Sequence, residues 1–328
     1  LALRPFIGDI VSFTLVKADG EVVECNRTTN AELFRLAVGG YGLFGVVTDV
    51  TLRLQPRRNV RRVVEIRDVD GLMTAFDQRI ADGFAYGDFQ YSTDPASDNF
   101  LRRGIFSCYQ PVDEPAPAAQ KSLSERDWRE MLTFAHTDKA RAYDMYTSYY
   151  LSTSGQVYGM DEHQMSIYPD GYHRAVDRAT RAKFPGSEMI TEIYVPRDRL
   201  ADFMAEAADD FRKNDVEVIY GTVRLIKKDG ESFMAWAKQD YACIIFNLHV
   251  SSEPARLEMA AEAFRRLIDM AIKRGGNYYL TYHRWATRDQ VLACYPQFPQ
   301  FLRLKHRYDK DDRFQSQWYW FYKNLLEG

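Results

Sequence analysis

A chain of 328 residues, 46% of them hydrophobic, is long enough for two domains with their own cores or for one large one. A net charge of −3 gives no global attraction to nucleic acid or to an anionic membrane, and no apolar run approaches the roughly 20 residues of a spanning helix. Four well-separated cysteines, Cys25, Cys108, Cys243 and Cys294, read as buried free thiols rather than disulfides, which fits a reducing, cytoplasmic setting.

In chain order, residues 11–16 and 21–25 predict a hairpin around Ala18-Asp19-Gly20, because Asp-Gly supplies the positive φ of a tight turn. Thr29 and Glu32 predict a capping box, and Leu33, Leu36 and Ala37 repeat at helical spacing. The run Gly39-Gly40-Tyr41-Gly42-Leu43-Phe44-Gly45 follows and fits G-x-G-x-x-G from Gly40 to Gly45. Beyond it Val46, Thr48, Val50, Leu52 and Leu54 alternate with Val47, Asp49, Thr51 and Arg53 until Pro56, which is the period of a strand. A dinucleotide fingerprint needs a strand before its glycines and a helix after them, so that the pyrophosphate meets the helix N-terminus. Here the order is reversed. The glycines either let a flat or phosphorylated ligand approach the backbone or form a crowded packing turn.

Arg57-Arg58-Asn59 then marks a domain boundary, and Arg57, Arg58, Arg61 and Arg62 predict a solvated inter-domain face. Next come strand 60–67, helix 70–81, strands 84–92 and 104–109, and a loop rich in Pro and Ala over 110–119. Residues 124–150 predict one amphipathic helix, with Trp128, Met131, Leu132 and Ala135 opposite Arg129, Glu130 and Lys139. After a loop region to about 186 the outline repeats as strand 188–195, helix 197–213, strands 216–225 and 241–249, helix 253–274 and strand 278–282. Two such halves predict one mainly antiparallel sheet with helices on one face, an α+β arrangement.

His136, His163, His173, His249 and His306 have no metal-ligand spacing, so no zinc site is predicted, and neither a G-x-S-x-G elbow nor a P-loop is present. Arg224 is a charge within an apolar strand and needs a partner, whether a structural anion or a ligand. Asp88 and Gln90 face either solvent or a cavity. His283 titrates near working pH and reads as a general base or as a histidine held by a backbone carbonyl. In an ideal strand Tyr278, Leu280 and Tyr282 share one face, while Tyr279 and Thr281 share the other. The 14% aromatic content serves either a pocket for a planar ring or sugar, or a tyrosine-rich core.

The stretch Asp9-Ile10-Val11-Ser12-Phe13-Thr14-Leu15-Val16-Lys17-Ala18-Asp19-Gly20, then Asn30-Ala31-Glu32-Leu33-Phe34 and the glycine run, together resemble the vanillyl-alcohol-oxidase type of FAD-binding domain. The nearer relatives it resembles are the sugar and aldonolactone oxidases and the oxidase acting on decaprenylphosphoryl ribose. A second resemblance to that family lies at Gly275-Gly276-Asn277-Tyr278-Tyr279-Leu280-Thr281-Tyr282-His283, and continues in Tyr295-Pro296, Tyr308-Asp309 and Arg313-Phe314. The resemblance implies that residues 1–57 are the second half of an FAD domain whose first half precedes residue 1. It implies a substrate or cap domain over 58–277, a mainly antiparallel sheet covered by helices, and a segment 278–328 that returns to the FAD domain. It further implies FAD as cofactor, met by Gly39, Gly40, Gly42, Gly45, Val46 and Val47. The implied activity is that of an oxidase or dehydrogenase, oxidising a hydroxyl group of a sugar-like or other alcohol by hydride transfer to flavin N5. His283 would be the base, Arg224 would orient the substrate, and Tyr279 and Tyr282 would stand on positions where relatives carry His or Tyr and Lys. That departure, and Thr222 where sugar-alcohol oxidases have Glu, keep the substrate itself from being carried over. The expected partner is a small hydroxylated molecule, with no nucleic acid and no membrane span. The alternative is a catalytically inactive cap-domain fragment acting as a binding or interaction module.

Overall fold

The Asp-Gly turn closes a hairpin between β1 (Ile10–Val16) and β2 (Val22–Asn26), with Gly20 at φ 86°. β3 (Val46–Leu52) pairs with the other edge of β1, giving a three-stranded antiparallel sheet in the order β2-β1-β3. The computed structural model describes residue 1, residues 3–161 and residues 169–328, so His163 lies outside the described residues.

Between β2 and β3 lies α1 (Ala31–Ala37), which buries Leu33, Phe34 and Leu36. The expected capping box does not form. Asn26 Oδ1 accepts from the backbone N–H groups of Thr28 and Thr29 at 2.9 and 2.7 Å, an Asx turn that claims Thr29, and Asn30 enters the helix at φ 47° with no side-chain cap. Glu32 is thereby free to reach forward to Arg307 and Tyr308.

The larger sheet is antiparallel in every described pairing and runs β11-β8-β10-β9-β5-β6-β4-β7. Its strands are β4 (Asn59–Asp68), β5 (Tyr86–Tyr91), β6 (Arg103–Val112), β7 (Val157–Gly159), β8 (Gly186–Pro196), β9 (Val218–Ile226), β10 (Tyr241–Ser251) and β11 (Asn277–Tyr278). One face carries Phe89, Phe106, Ile193, Val195, Val223, Ile244 and Phe246, which merge with Phe76 of α2 (Leu72–Ala81), Phe203 and Phe211 of α6 (Leu200–Lys213), and Phe264 and Leu267 of α7 (Pro254–Ile272) into the main core. Helices also cover part of the opposite face, which corrects the one-sided expectation. There Tyr150 of α4 (Lys139–Ser152) packs on Val64 and Ile105, α3 (Glu125–Thr137) meets β9, and α5 (Tyr172–Thr180) meets β8. The single helix expected over 124–150 is two. Asp138 leaves helical geometry at φ −154° and its carboxylate caps α4 by accepting from the Arg141 N–H at 3.1 Å, while Ser124 and Asp127 form a capping box that opens α3.

Arg62 also departs from the expected solvated face. Its side chain is among the most buried in the protein, donating to Tyr109 Oη at 2.9 Å and Thr153 Oγ1 at 2.8 Å with the rings of Tyr109, Tyr150 and Tyr158 around it. Arg57 and Arg61 do lie at the surface, paired with Asp161 and Glu114. All four cysteines are buried free thiols, as the spacing implied. The C-terminal helices α8 (Arg288–Cys294), α9 (Phe298–Tyr308) and α10 (Gln317–Glu327) return to the first sheet, where Phe44 meets Phe301 and Tyr308 edge-on.

Candidate functional site

The glycine run divides into two pairs by what surrounds each residue. Gly40 and Gly45 are packing glycines, since a Cβ would fall 2.0 Å from Leu36 O in the first case and 2.5 Å from Val16 O in the second. Gly39 and Gly42, both at φ 72°, face open space. The following Val46 and Val47 are 53% and 48% exposed, so backbone and apolar side chains together offer an uncovered ledge.

Tyr41 links this ledge to the C-terminal segment. Its ring stacks on Trp318 with centroids 3.8 Å apart, its hydroxyl lies beside Thr281, and burial drives its phenol far above the ordinary value. The segment that follows Gly275 is not the strand 278–282 that its alternation predicts. β11 ends at Tyr278 and the chain turns, because Tyr295 Oη donates to Tyr278 O and the Trp318 indole donates to Leu280 O at 3.1 Å. The turn brings Tyr279 and Tyr282 onto one side with ring centroids 5.6 Å apart, where an ideal strand would have separated them.

Tyr282, 41% exposed, adjoins Glu192 on β8. Partial burial and the neighbouring carboxylate push its phenol up to about 12. Glu192 also accepts from Cys243 Sγ at 2.7 Å, and its backbone carbonyl receives the Tyr279 N–H at 3.0 Å. Cys243 lies opposite Arg224 in the β10–β9 ladder. Arg224 is exposed and makes no ion pair within 4.0 Å among the described residues, its charge acting at longer range on the buried Asp88 and on Cys243. Glu192 was missed by sequence reasoning, yet the signal that singled out Arg224 applies to it: a charge within the apolar run Ile190-Thr191-Glu192-Ile193.

Asp88 and Gln90 are buried rather than solvent-exposed. Asp88 accepts from Thr222 Oγ1 at 2.8 Å and from Gln90 Nε2 at 3.1 Å, and burial raises its pKa against the pull of Thr222 and Arg224.

His283 does not join Tyr282, Glu192 and Arg224. It is buried in the layer beneath β8, with Nε2 3.2 Å from Thr191 Oγ1 and its ring packed on Phe264, Tyr278 and Trp285. Burial pulls its pKa down to about 4. Thr191 and Glu192 are consecutive on β8 and point to opposite faces, which places the imidazole on the far side of the strand from the carboxylate.

No family model matches the chain. Over 282 residues, 83% of its length, the chain is 21% identical to cytokinin dehydrogenase 9 of Oryza sativa subsp. japonica, of which it spans 54%. A stretch of 48 residues, 15% of the chain and 11% of the relative, is 44% identical to L-gulonolactone oxidase of Mus musculus. A stretch of 52 residues, 16% of the chain and 10% of the relative, is 38% identical to the FAD-dependent monooxygenase drtC of Aspergillus calidoustus. The chain therefore has distant similarity to oxidoreductases, one of them FAD-dependent by name, and spans about half the length of this cytokinin dehydrogenase.

Proposed function

We propose that this chain forms part of an FAD-dependent oxidoreductase that oxidises a hydroxyl group of a small, sugar-like alcohol. The observation that carries the reading is contiguity: the glycine ledge meets Thr281 through Tyr41, and the same turn presents Tyr279 and Tyr282 beside Glu192, Cys243 and Arg224. Distant similarity to a dehydrogenase, an oxidase and an FAD-dependent monooxygenase supports the same class.

The residues fit a flavin at the ledge. Gly39 and Gly42 have no side chain to obstruct a flat ring system and open space where one would be, and one of the exposed Val46 and Val47, which alternate across β3, would cover its apolar edge; Gly40 and Gly45 keep the loop in shape. Bound there, FAD would supply the two-electron chemistry by accepting a hydride from the carbinol carbon. The rest falls to the protein. Arg224, exposed and with no carboxylate within 4.0 Å among the described residues, orients substrate oxygens with its guanidinium donors. Tyr282, protonated at neutral pH with its phenol at about 12, donates to the substrate oxygen. Glu192 accepts the proton that leaves the hydroxyl. His283 acts as a positioning residue, holding the base of the turn through Thr191.

The test is an FAD titration of the purified protein followed by flavin fluorescence and visible circular dichroism, then anaerobic reduction by candidate sugars and polyols in stopped flow. Saturable binding is expected, with Glu192→Gln slowing flavin reduction on the order of 100-fold at unchanged FAD affinity. Protein that binds no FAD refutes the reading. An unchanged reduction rate in Glu192→Gln removes Glu192 from the mechanism.

A further inference from the structure

The fold brings together two histidines that lie 113 positions apart in the chain and that show no ligand spacing. His136, on the last turn of α3 with its side chain 1% exposed, meets the His249 ring of β10 at 4.7 Å between centroids and nearly perpendicular. Glu188 stands directly opposite His249 in the β10–β8 ladder. Its Oε1 lies 3.3 Å from His136 Nε2 and 3.4 Å from His249 Nδ1, and the three residues each offer a ligand atom within 4.8 Å of the other two. Nitrogen and oxygen ligands at about 2.0–2.1 Å from a tetrahedral zinc stand about 3.3 Å apart along each edge.

The surroundings of this cluster are those of a ligand set. Both nitrogens of the buried His136 ring lack a hydrogen bond of good geometry among the described residues although carboxylates stand 3.3 and 3.7 Å away, a spacing that leaves room for an ion between the ring and Glu188. On the other side of the ring, Glu217 Oε1 lies 3.7 Å from Nδ1, the place where a carboxylate steadies a metal-ligating imidazole. Tyr172 Oη donates to Glu188 Oε2 and so leaves Oε1 to face the two histidines. The His249 ring rests on Gly186, where a Cβ would come within 2.2 Å of it. A cleft of about 450 Å³ lined by His136, Glu217 and His249 gives an ion its access and a water its place. Of the cleft's cations Lys139 and Arg256, Lys139 is turned away to the carbonyls of Ala135 and Val218.

We propose that His136 Nε2, Glu188 Oε1 and His249 Nδ1 bind one zinc ion, with water from the cleft as fourth ligand, and that the ion fastens α3 to β8 and β10. The site is independent of the proposed flavin chemistry: Glu188 precedes Glu192 by four residues, about 13 Å along β8. The rival arrangement is a metal-free ion pair between Glu188 and a protonated histidine.

Chelator-treated protein is titrated with Zn2+ in competition with a chromophoric chelator, and separately with Co2+ while visible absorption is recorded. One equivalent of zinc, intense tetrahedral-type cobalt bands displaced by zinc, and a zinc-dependent rise in Tm are expected. His249→Ala abolishes the cobalt bands, and Glu217→Gln, which removes no ligand, weakens zinc binding about 10-fold with far-UV circular dichroism unchanged. Wild-type protein that takes up no zinc at one equivalent overturns the proposal, whatever the variants do. So does a folded His249→Ala that keeps wild-type affinity, which would mean the ion sits elsewhere and the cluster is an ion pair.

Discussion

His283→Gln separates a histidine that supports the fold from one that works as a base. In the folded protein the imidazole sits at about 4, because burial against Phe264, Tyr278 and Trp285 disfavours the charged ring, against 6.5 when exposed. Between those values the unfolded chain holds more protons than the folded one, so stability rises with pH across that window. The contribution is complete above about pH 6.5 and is lost as the pH falls toward about 4. At 1.36 kcal/mol per pKa unit, the full loss is about 3 kcal/mol. Glutamine keeps a hydrogen-bonding group near Thr191 Oγ1 but does not titrate, so the variant lacks this component. Urea unfolding of both proteins, followed by tryptophan fluorescence between about pH 7 and pH 4, gives the difference directly. The wild-type advantage is expected to shrink by about 3 kcal/mol over that range. Parallel curves for the two proteins would mean that His283 titrates as a free imidazole, and the argument that places it beneath β8 as a positioning residue would be wrong.

Three further outcomes follow from the packing. Gly45→Ala puts a Cβ at φ 150° within 2.5 Å of Val16 O and is expected to cost about 2 kcal/mol, while Gly230→Ala, with open space around it, stays within about 0.5 kcal/mol; equal denaturation midpoints would refute the packing role of Gly45. Lys305→Met removes the ammonium held 2.5 Å from the buried Asp309 carboxylate and leaves that charge only the Arg313 and Phe314 N–H groups, and a loss of about 3 kcal/mol is expected by calorimetry, with partial rescue by Asp309→Asn in the same chain. Tyr109→Phe removes one of the two hydroxyls that accept from Arg62 and is expected to cost about 2 kcal/mol; a midpoint unchanged in urea would show that the guanidinium is satisfied by Thr153 and the surrounding rings alone.

Local chemistry was readable in the sequence. Asp19-Gly20 announced its hairpin, the alternation after Gly45 announced β3, and the sequence of strands and helices announced a mainly antiparallel α+β arrangement, because each depends on neighbours only a few residues away. The misreadings share one cause. Thr29 was drawn into a turn by Asn26, Asp138 split a continuous amphipathic pattern, and a turn pinned by Tyr295 and Trp318 replaced the strand through Tyr282. In each case a competing hydrogen bond outweighed a periodic signal.

What the sequence by itself determined is that Arg224 is a charge out of place in an apolar strand, a signal that Glu192 carries too; the burial of Arg62, which the sequence reads as solvated, came from packing. What only the tertiary structure decided is which of these meet. Register across β8, β10 and β9 set Glu192 beside Cys243 and Cys243 opposite Arg224, and carried His249 to Glu188. The crossing of α3 then brought in His136. Strand register and helix placement are fixed by burying the large aromatic side chains of the core, an energy summed over the whole chain, so the partners of a polar residue distant in sequence cannot be read from its own neighbourhood.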